Sequence, residues 1–591
     1  MGLTLKCEPD ASSLLDYYHC TFFLPLLGFG DGLTPHETLR VTYPHNERLP
    51  SEDAQAFYYF TPTLRDIIFD RGDVPLTEDE KRGKGQAGEH EAQLIPVREW
   101  RLEPEVVADW ELQLLSGTES PDTGQRAVFE SVRLYRYFNG IYLLAFTLMP
   151  RMLRELRDQV GAECQNLKQA HPDWPEWKIG QEAESEVPLF SSGRQFLDDY
   201  RVDGVLPEAF SAYESLQLES WLRFTRLARQ LYPSFTEQGD ENKIAPLKLL
   251  IPGQEPFSAL DRKVPLQLPK AAVHLSPVIV QLVQQFFAEP VEQLLKEKIR
   301  LFDDRMFVSV AYGLAGKKYD NLDKLKALIA TTDRFADTWE DMNGYAYSGA
   351  ALDHYLQDSE FDLWTDLGGH FIFNDMVNAY LYSGSFFRSI IGPKHIPYIY
   401  DRMLIQVMFY QASLRHYDHE ITNKTALLLK NRNEKNAIGQ ILQQRGEFIR
   451  FTNQYWFREV SNQMQGRMMF RLQYQGLEID AHYRQLQDEI RDTNDYLQVL
   501  HENRQGEESA RLTKLAVVFA VAAYYIAALP VLNDQLKNEG LWTQLFDGLL
   551  RYLPEDWVAP VLGILTVLII PIVLAAAVYG WFAGWFTGDG R

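Results

Sequence analysis

Hydrophobic and polar positions change period along the chain, and each period predicts an element. Val132-Arg-Leu-Tyr-Arg-Tyr-Phe138 is β-rich, Asn139-Gly140 follows, and Ile141-Tyr-Leu-Leu-Ala-Phe-Thr-Leu148 is β-rich again. Asn-Gly between two such runs predicts a hairpin whose two turn residues both take positive φ. Residues 151–168 read as a helix and Met306–Tyr312 as a buried strand. Tyr18–Leu27 is a short apolar run among turn residues. Residues 71–93 are polar and charged and predict an exposed loop. The seven prolines in 233–277 predict an irregular connection. The N-terminal half is therefore expected to be α/β.

The pattern then becomes helical. No proline stands between Pro397 and Pro530. Leu472, Gly476, Ile479, Tyr483, Leu486, Ile490, Thr493, Leu497 and Leu500 form a heptad seam. Gly506 is the one obvious breaker after it. This predicts a stalk helix from Tyr455 to Leu532, roughly 115 Å long at 1.5 Å per residue. Two uncharged apolar runs end the chain, Leu515–Leu532 and Trp557–Phe586. About 20 apolar residues suffice to cross a bilayer as a helix, so both runs are expected to span one. Between them Leu541, Trp542, Leu545, Phe546, Leu549, Leu550 and Leu553 form a one-sided stripe, the mark of an amphipathic helix on the membrane surface.

Charge refines this layout. The chain of 591 residues carries a net charge of −23. From Arg511 onward there are five basic and six acidic residues, which leaves −22 on residues 1–510. Such a surface repels DNA and RNA and concentrates cations. Arg511 and Lys514 flank the first run, while the loop 533–556 is acidic. The positive-inside rule then places residues 1–510 and both termini in the cytosol, at the inner membrane. The three cysteines, Cys7, Cys20 and Cys164, have neither disulfide nor zinc spacing.

Two segments carry a family resemblance. Phe451-Thr-Asn-Gln-Tyr-Trp-Phe-Arg-Glu-Val-Ser-Asn-Gln-Met-Gln-Gly466 resembles the start of the stalk in divergent bacterial CorA-like proteins. Tyr398-Ile-Tyr-Asp-Arg-Met-Leu-Ile-Gln-Val-Met-Phe-Tyr-Gln-Ala-Ser-Leu-Arg415 resembles the helix before it. The resemblance covers roughly residues 370–590. It implies a homopentamer whose first spans line a pore gated by the cytosolic domains. It also implies Mg²⁺ or another divalent cation as ligand or cargo. Some members of that branch resemble effectors of type III CRISPR loci, which would make a small nucleotide messenger the gating ligand. The family's Gly-Met-Asn is absent; Leu529-Pro-Val-Leu-Asn-Asp534 stands in its place.

The expected fold class is thus an α/β cytosolic domain, a long stalk helix and two C-terminal transmembrane helices. Its divisions are 1–300 and 301–450 in the cytosol, stalk 451–511, span 512–532, external loop 533–556 and span 557–586. Asn533 and Asp534 are candidates for the pore mouth, where carboxylate rings would favour hydrated divalent cations. Arg511, Lys514, Val518 and Tyr525 are candidates for the pore lining or gate. Arg511 and Lys514 read equally as interfacial anchors. Arg388, Lys394, His395 and Arg402 form a local basic cluster suited to an anionic ligand, or to pairing with neighbouring acids. The acidic pairs Asp198-Asp199, Asp303-Asp304 and Glu340-Asp341 read as solvated surface. Gly313–Lys318 lacks P-loop spacing, and His416-Tyr-Asp-His419 lacks zinc-protease order, so no enzyme and no organic cofactor is expected. The expected function is a homo-oligomeric, CorA-like ion channel in a lipid bilayer, gated by a cation or nucleotide. The alternative is a non-conducting, membrane-anchored sensor or scaffold.

Overall fold

The structure is a computed structural model. It describes residues 15–28, 33, 35–41, 51–69, 95–114, 125–175, 178–179, 183, 216–231, 247–255, 257–258, 263–265, 272–303, 305–314, 322–331, 349–384, 386–430 and 435–537. The side chains of some helical residues are not described. The exposed-loop segment 71–93, Cys7, Asp198-Asp199, Asp304 and Glu340-Asp341 lie outside the described residues, as do 538–591.

The strands are β1 (Leu15–Gly28), β2 (Arg40–Val41), β3 (Arg98–Arg101), β4 (Glu111–Leu114), β5 (Arg126–Arg136), β6 (Ile141–Pro150), β7 (Leu247–Leu250) and β8 (Phe257–Ser258). After them come β9 (Lys263–Pro265), β10 (Ala272–His274), β11 (Ile299–Leu301), β12 (Phe307–Leu314), β13 (Glu360–Phe361), β14 (Gly369–Phe373) and β15 (Val377–Ser383). Thirteen of these make one sheet, ordered β13-β14-β15-β12-β1-β6-β5-β4-β7-β8, with β11 on β1 and β2 reaching β5 through β3. Only the β12–β15 pair is parallel, so the sheet is mixed. Strands β12 to β15 thus fill one end of the sheet and the strands from before residue 300 the other, joined where β1 pairs with β12.

The hairpin falls where the Asn-Gly signal placed it, between β5 and β6. Its turn differs from the expected one. Gly140 has φ +78°, but Asn139 does not have positive φ. The Tyr137 amide donates to the Ile141 carbonyl at 2.8 Å, closing a loop of Phe138-Asn139-Gly140. A three-residue loop needs one left-handed residue at its end, and Gly140 supplies it.

Alternation gives the sheet two apolar faces. On β1, Tyr18, Cys20, Phe22 and Leu24 enter one core with Trp221, Ile279 and Val310. Phe23 and Leu27 enter a second core with Phe307, Tyr380 and Phe409. The second core is roofed by helices. They are α1 (Ser51–Tyr59), α2 (Pro62–Ile68), α4 (Asp401–Lys430), α5 (Lys435–Arg450) and α6 (Met464–Gly476), which follow and precede α3 (Arg151–Ala170) and α7 (Ile479–Lys537) in the chain. A π-helical segment, Phe387–Tyr400, leads into α4. Tyr137 stacks face to face on Phe409 of α4 at 3.8 Å, and Phe138 stacks on Tyr455, beyond the end of α5, at 4.1 Å.

The stalk expectation is corrected in two places. Helix stops at Tyr455 because the next residues bond elsewhere. The Tyr410 hydroxyl takes the Phe457 amide at 2.8 Å, Thr61 takes the Val460 carbonyl, and Ser461 donates to the Tyr59 carbonyl at 2.8 Å. Helix stops again between α6 and α7, where Glu478 has φ +50°. Gly506, the expected breaker, lies inside α7. The 59 residues of α7 measure about 88 Å at 1.5 Å per residue.

The two-span layout, and with it the inner-membrane location, is also corrected. Among the described residues no helix is long and apolar enough to cross a membrane. The first apolar run is the distal part of α7, and Trp557–Phe586 lies outside the described residues. The fold is therefore a large mixed sheet with helices. The chain divides into two compact units, Met1–Ile490 and Arg491–Arg591, with the boundary inside α7. In the second unit Leu512, Phe519 and Ile526 are exposed at 67%, 70% and 66%.

Candidate functional site

A row of polar side chains crosses the helix-facing side of the sheet. Register pairs Ser131 of β5 with Thr147 of β6, Thr147 with Thr21 of β1, Thr21 with Ser309 of β12, and Ser309 with Asn378 of β15. Thr21, Thr147, Ser309 and Asn378 are all buried. Buried hydroxyls require partners, and these find them in one another and in Asp401, the first residue of α4. Ser131 donates to Thr147 at 3.1 Å, and Thr147 meets Thr21 at 3.1 Å. Thr21 donates to Asp401 Oδ2 at 3.0 Å, and Ser309 donates to Asp401 Oδ1. Asn378 ends the row with neither amide atom hydrogen-bonded.

His19, two residues before Thr21 and on the same face of β1, joins this row to the surface. Its Nδ1 lies 3.2 Å from Glu130 Oε2 and its Nε2 lies 3.2 Å from Thr21 Oγ1. Asp401 Oδ2 is 3.8 Å from the same Nε2. Arg157 of α3 pairs with Glu130. Burial alone would push the His19 imidazole down, but hydrogen bonds with Asp401 and Glu130 overcome it and raise it to about 9. Burial would push Glu130 up, yet His19 and then Arg157 hold it at about 2.

Arg402, the next residue of α4, anchors a second network. It is 2% exposed. Its Nη2 donates to Asp53 of α1 at 2.9 Å, and Nη1 lies 3.7 Å from Glu99 of β3. Its guanidinium sits 4.9 Å from the centre of the Phe69 ring. Glu99 also takes Arg101 at 3.1 Å and neighbours Arg133 at 3.9 Å. Burial opposes its ionisation, but Arg402 foremost, then Arg101 and Arg133, hold the Glu99 carboxyl below the usual range.

Ser309 bonds to Asp401, and the hydroxyl beside His19 is that of Thr21. Glu130 and Asp401 flank opposite edges of the His19 ring, so the three do not converge on one ion. Among the described residues no group of three or more His, Cys, Asp or Glu is placed to hold a metal.

The residues singled out in the sequence are placed apart. Arg402 is buried in its ion pairs, Lys394 is exposed and His395 is half-buried, with Tyr400 Oη 3.4 Å from His395 Nδ1. Burial, with Lys394 adding, lowers the His395 imidazole. The Arg388 side chain is not described. On α7, Arg511 and Val518 are exposed and Lys514 is half-buried. Asn533 and Asp534 lie within the helix and not beyond its end; their side chains and that of Tyr525 are not described. Asp303 pairs with Arg415 at 3.2 Å. His416 is pushed down to about 4 by burial.

His19, Glu130, Asp401, Asp53 and Glu99 were not read from the sequence. The available signal was His19 and Thr21 at alternate positions of an otherwise apolar strand, which marks one face as polar.

No family model matches the chain, and no curated protein or solved structure matches it. The CorA resemblance rests on the quoted segments alone. In the structure, the Phe451–Gly466 segment is the one that docks on α1 and α2. A side chain at Gly466 would meet Tyr59 Oη at 2.4 Å.

Proposed function

We propose that this chain is a sensor or scaffold subunit that assembles as a homo-oligomer and answers a small ligand, either a divalent cation or an anionic nucleotide. Ion conduction needs a path across a bilayer, and no described helix offers one. The sensor or scaffold alternative is therefore the reading carried forward. The observation that supports it is the pairing of Asp401 and Arg402. Two adjacent charged residues at the start of one buried helix each close a separate network on the sheet side. A shift of α4 breaks both networks together, so α4 has discrete seats and not a continuum of positions. From α4 the contacts continue to α6 and α7. Gln473 lies 3.5 Å from the Tyr400 carbonyl, Tyr410 stacks on Trp456, and Trp456 packs on Tyr483. A ligand moves such an element only through different affinities for its two states.

The test uses the purified full-length protein. Mg²⁺ and a panel of small nucleotide messengers are titrated while hydrogen exchange is followed over residues 401–490. A ligand that slows exchange at the start of α4 and, with it, in α6 and the first turns of α7 is the expected result. Exchange unchanged by every ligand contradicts the sensor. Sedimentation as a monomer contradicts the assembly.

A further inference from the structure

The hydrogen-bond directions around His19 fix its charge. The Thr21 hydroxyl has one proton, and that proton goes to Asp401 Oδ2 at 3.0 Å. Its oxygen must therefore accept from its other neighbours, and one of these is His19 Nε2 at 3.2 Å. Nε2 thus carries a proton. Nδ1 faces the Glu130 carboxylate at 3.2 Å, which can only accept, so Nδ1 carries one too. A histidine with two N–H groups is an imidazolium. The charges balance only then: His19 and Arg157 are positive, Glu130 and Asp401 negative.

We propose that His19 is a buried imidazolium and that its proton works as a latch between the sheet and the start of α4. With the proton on Nε2, Thr21 serves Asp401. Without it, the neutral ring accepts at Nε2, Thr21 turns its one proton to the ring, and Asp401 keeps only Ser309. The cluster is then left with a net buried negative charge beside α4, which burial penalises.

Three groups around His19 are displaced above their ordinary values. Tyr17, on its own strand, is raised well above its ordinary value, by burial first and Glu130 next. Cys20 is pushed up to about 12 by burial. Tyr380 of β15, close to Asp401, is raised well above its ordinary value by burial. Glu130 of β5, with Arg157 of α3 behind it, faces Nδ1. Asp401 of α4 and the hydroxyls of Thr21, Thr147 of β6 and Ser309 of β12 fill the Nε2 side. Tyr398 of the π-helical segment completes the surround. His19, raised to about 9, is the group that changes charge. Its folded value stands above its ordinary 6.5, so its contribution to stability is full below about 6.5 and is lost as pH rises through about 9.

The inference deepens the reading of the Asp401 junction and rests on it for its consequence in α4, while the charge on His19 has its own readout. That readout is ¹⁵N NMR of histidine-labelled full-length protein, with His19 assigned by the resonances lost in His19→Gln. The expected result is two protonated ring nitrogens at pH 7 and a titration between about 8 and 10. Across that interval the wild-type folding equilibrium should fall roughly tenfold, while His19→Gln shows no such fall. Should His19→Gln not fold, Thr21→Val retains the ring but removes the acceptor of Nε2–H, and its His19 titration should move to lower pH. A neutral His19 at pH 7, or a titration unmoved in Thr21→Val, overturns the proposal. Neither result depends on whether a ligand moves α4, so failure of the sensor reading is seen separately.

Discussion

At the scale of single residues, Arg402 is the side chain on which most rests. Its removal takes a cationic partner from two buried carboxylates, Asp53 and Glu99, at 2% and 1% exposure, and leaves Arg101 on Glu99. Breaking a buried pair from one side costs about 3–5 kcal/mol. Arg402→Met should therefore lower the unfolding free energy measured by urea titration by about that amount, and adding Glu99→Gln should restore part of the loss. The polar row gives a paired prediction. Thr21→Val should destabilise, because Asp401 loses a donor and His19 an acceptor. Asn378→Val should be neutral or stabilising in the same urea assay, because its amide atoms have no hydrogen-bond partner to lose. Arg402 was legible in the sequence as one of a basic cluster. The structure assigns it to neighbouring acids, the second of the two readings the sequence left open. His19 was hidden because its partners are 111 residues away in Glu130 and, through Thr21, 380 residues away in Asp401. No local pattern records such distances.

At the scale of elements, the hairpin β5–β6 and helix α3 were legible because local chemistry decides them. The stalk was legible only in part. The expected seam is divided between α6 and α7, and its members Tyr483, Leu486 and Ile490 pack on the chain's own second core. The breaks at Trp456–Gln463 and Glu478 were not legible, since tertiary bonds from α1, α2 and Tyr410 impose the first. Glu478 holds a left-handed conformation that costs a residue with a Cβ about 1 kcal/mol. Glu478→Gly should raise stability by about that much, and Glu478→Val should lower it. Within α7, a Cβ at Gly506 would meet nothing within 4 Å. Gly506→Ala should strengthen the helix by about 0.5–1 kcal/mol. The readout is exchange of the flanking amides, slowed roughly two- to fivefold. An Ala that leaves exchange unchanged would mean that this part of α7 is not limited by helix propensity.

At the scale of the whole molecule, the buried charges set a stability plateau with two edges. Glu130 at about 2 and the lowered Glu99 contribute stability above the ordinary carboxylate range and lose it as pH falls through their folded values. His19 acts in the opposite sense at the alkaline edge. Thermal unfolding midpoints should therefore be highest between about pH 5 and 6.5 and fall away on both sides. The mixed α/β composition of the N-terminal region was legible from periodicity. The joining of early and late strands in one sheet was not, since the pairing of β1 with β12 depends on long-range closure. The apolar runs were legible as runs, but the helix that holds the first of them begins at Ile479 and is mostly polar before Leu515. The central claim is that Asp401 and Arg402 seat α4 on the sheet and tie α6 and the start of α7 to it. Hydrogen exchange over residues 401–490 in Asp401→Asn measures this most directly. Loss of protection that begins in α4 and extends through α6 to the first turns of α7 is expected. Loss confined to the first turn of α4 would contradict it.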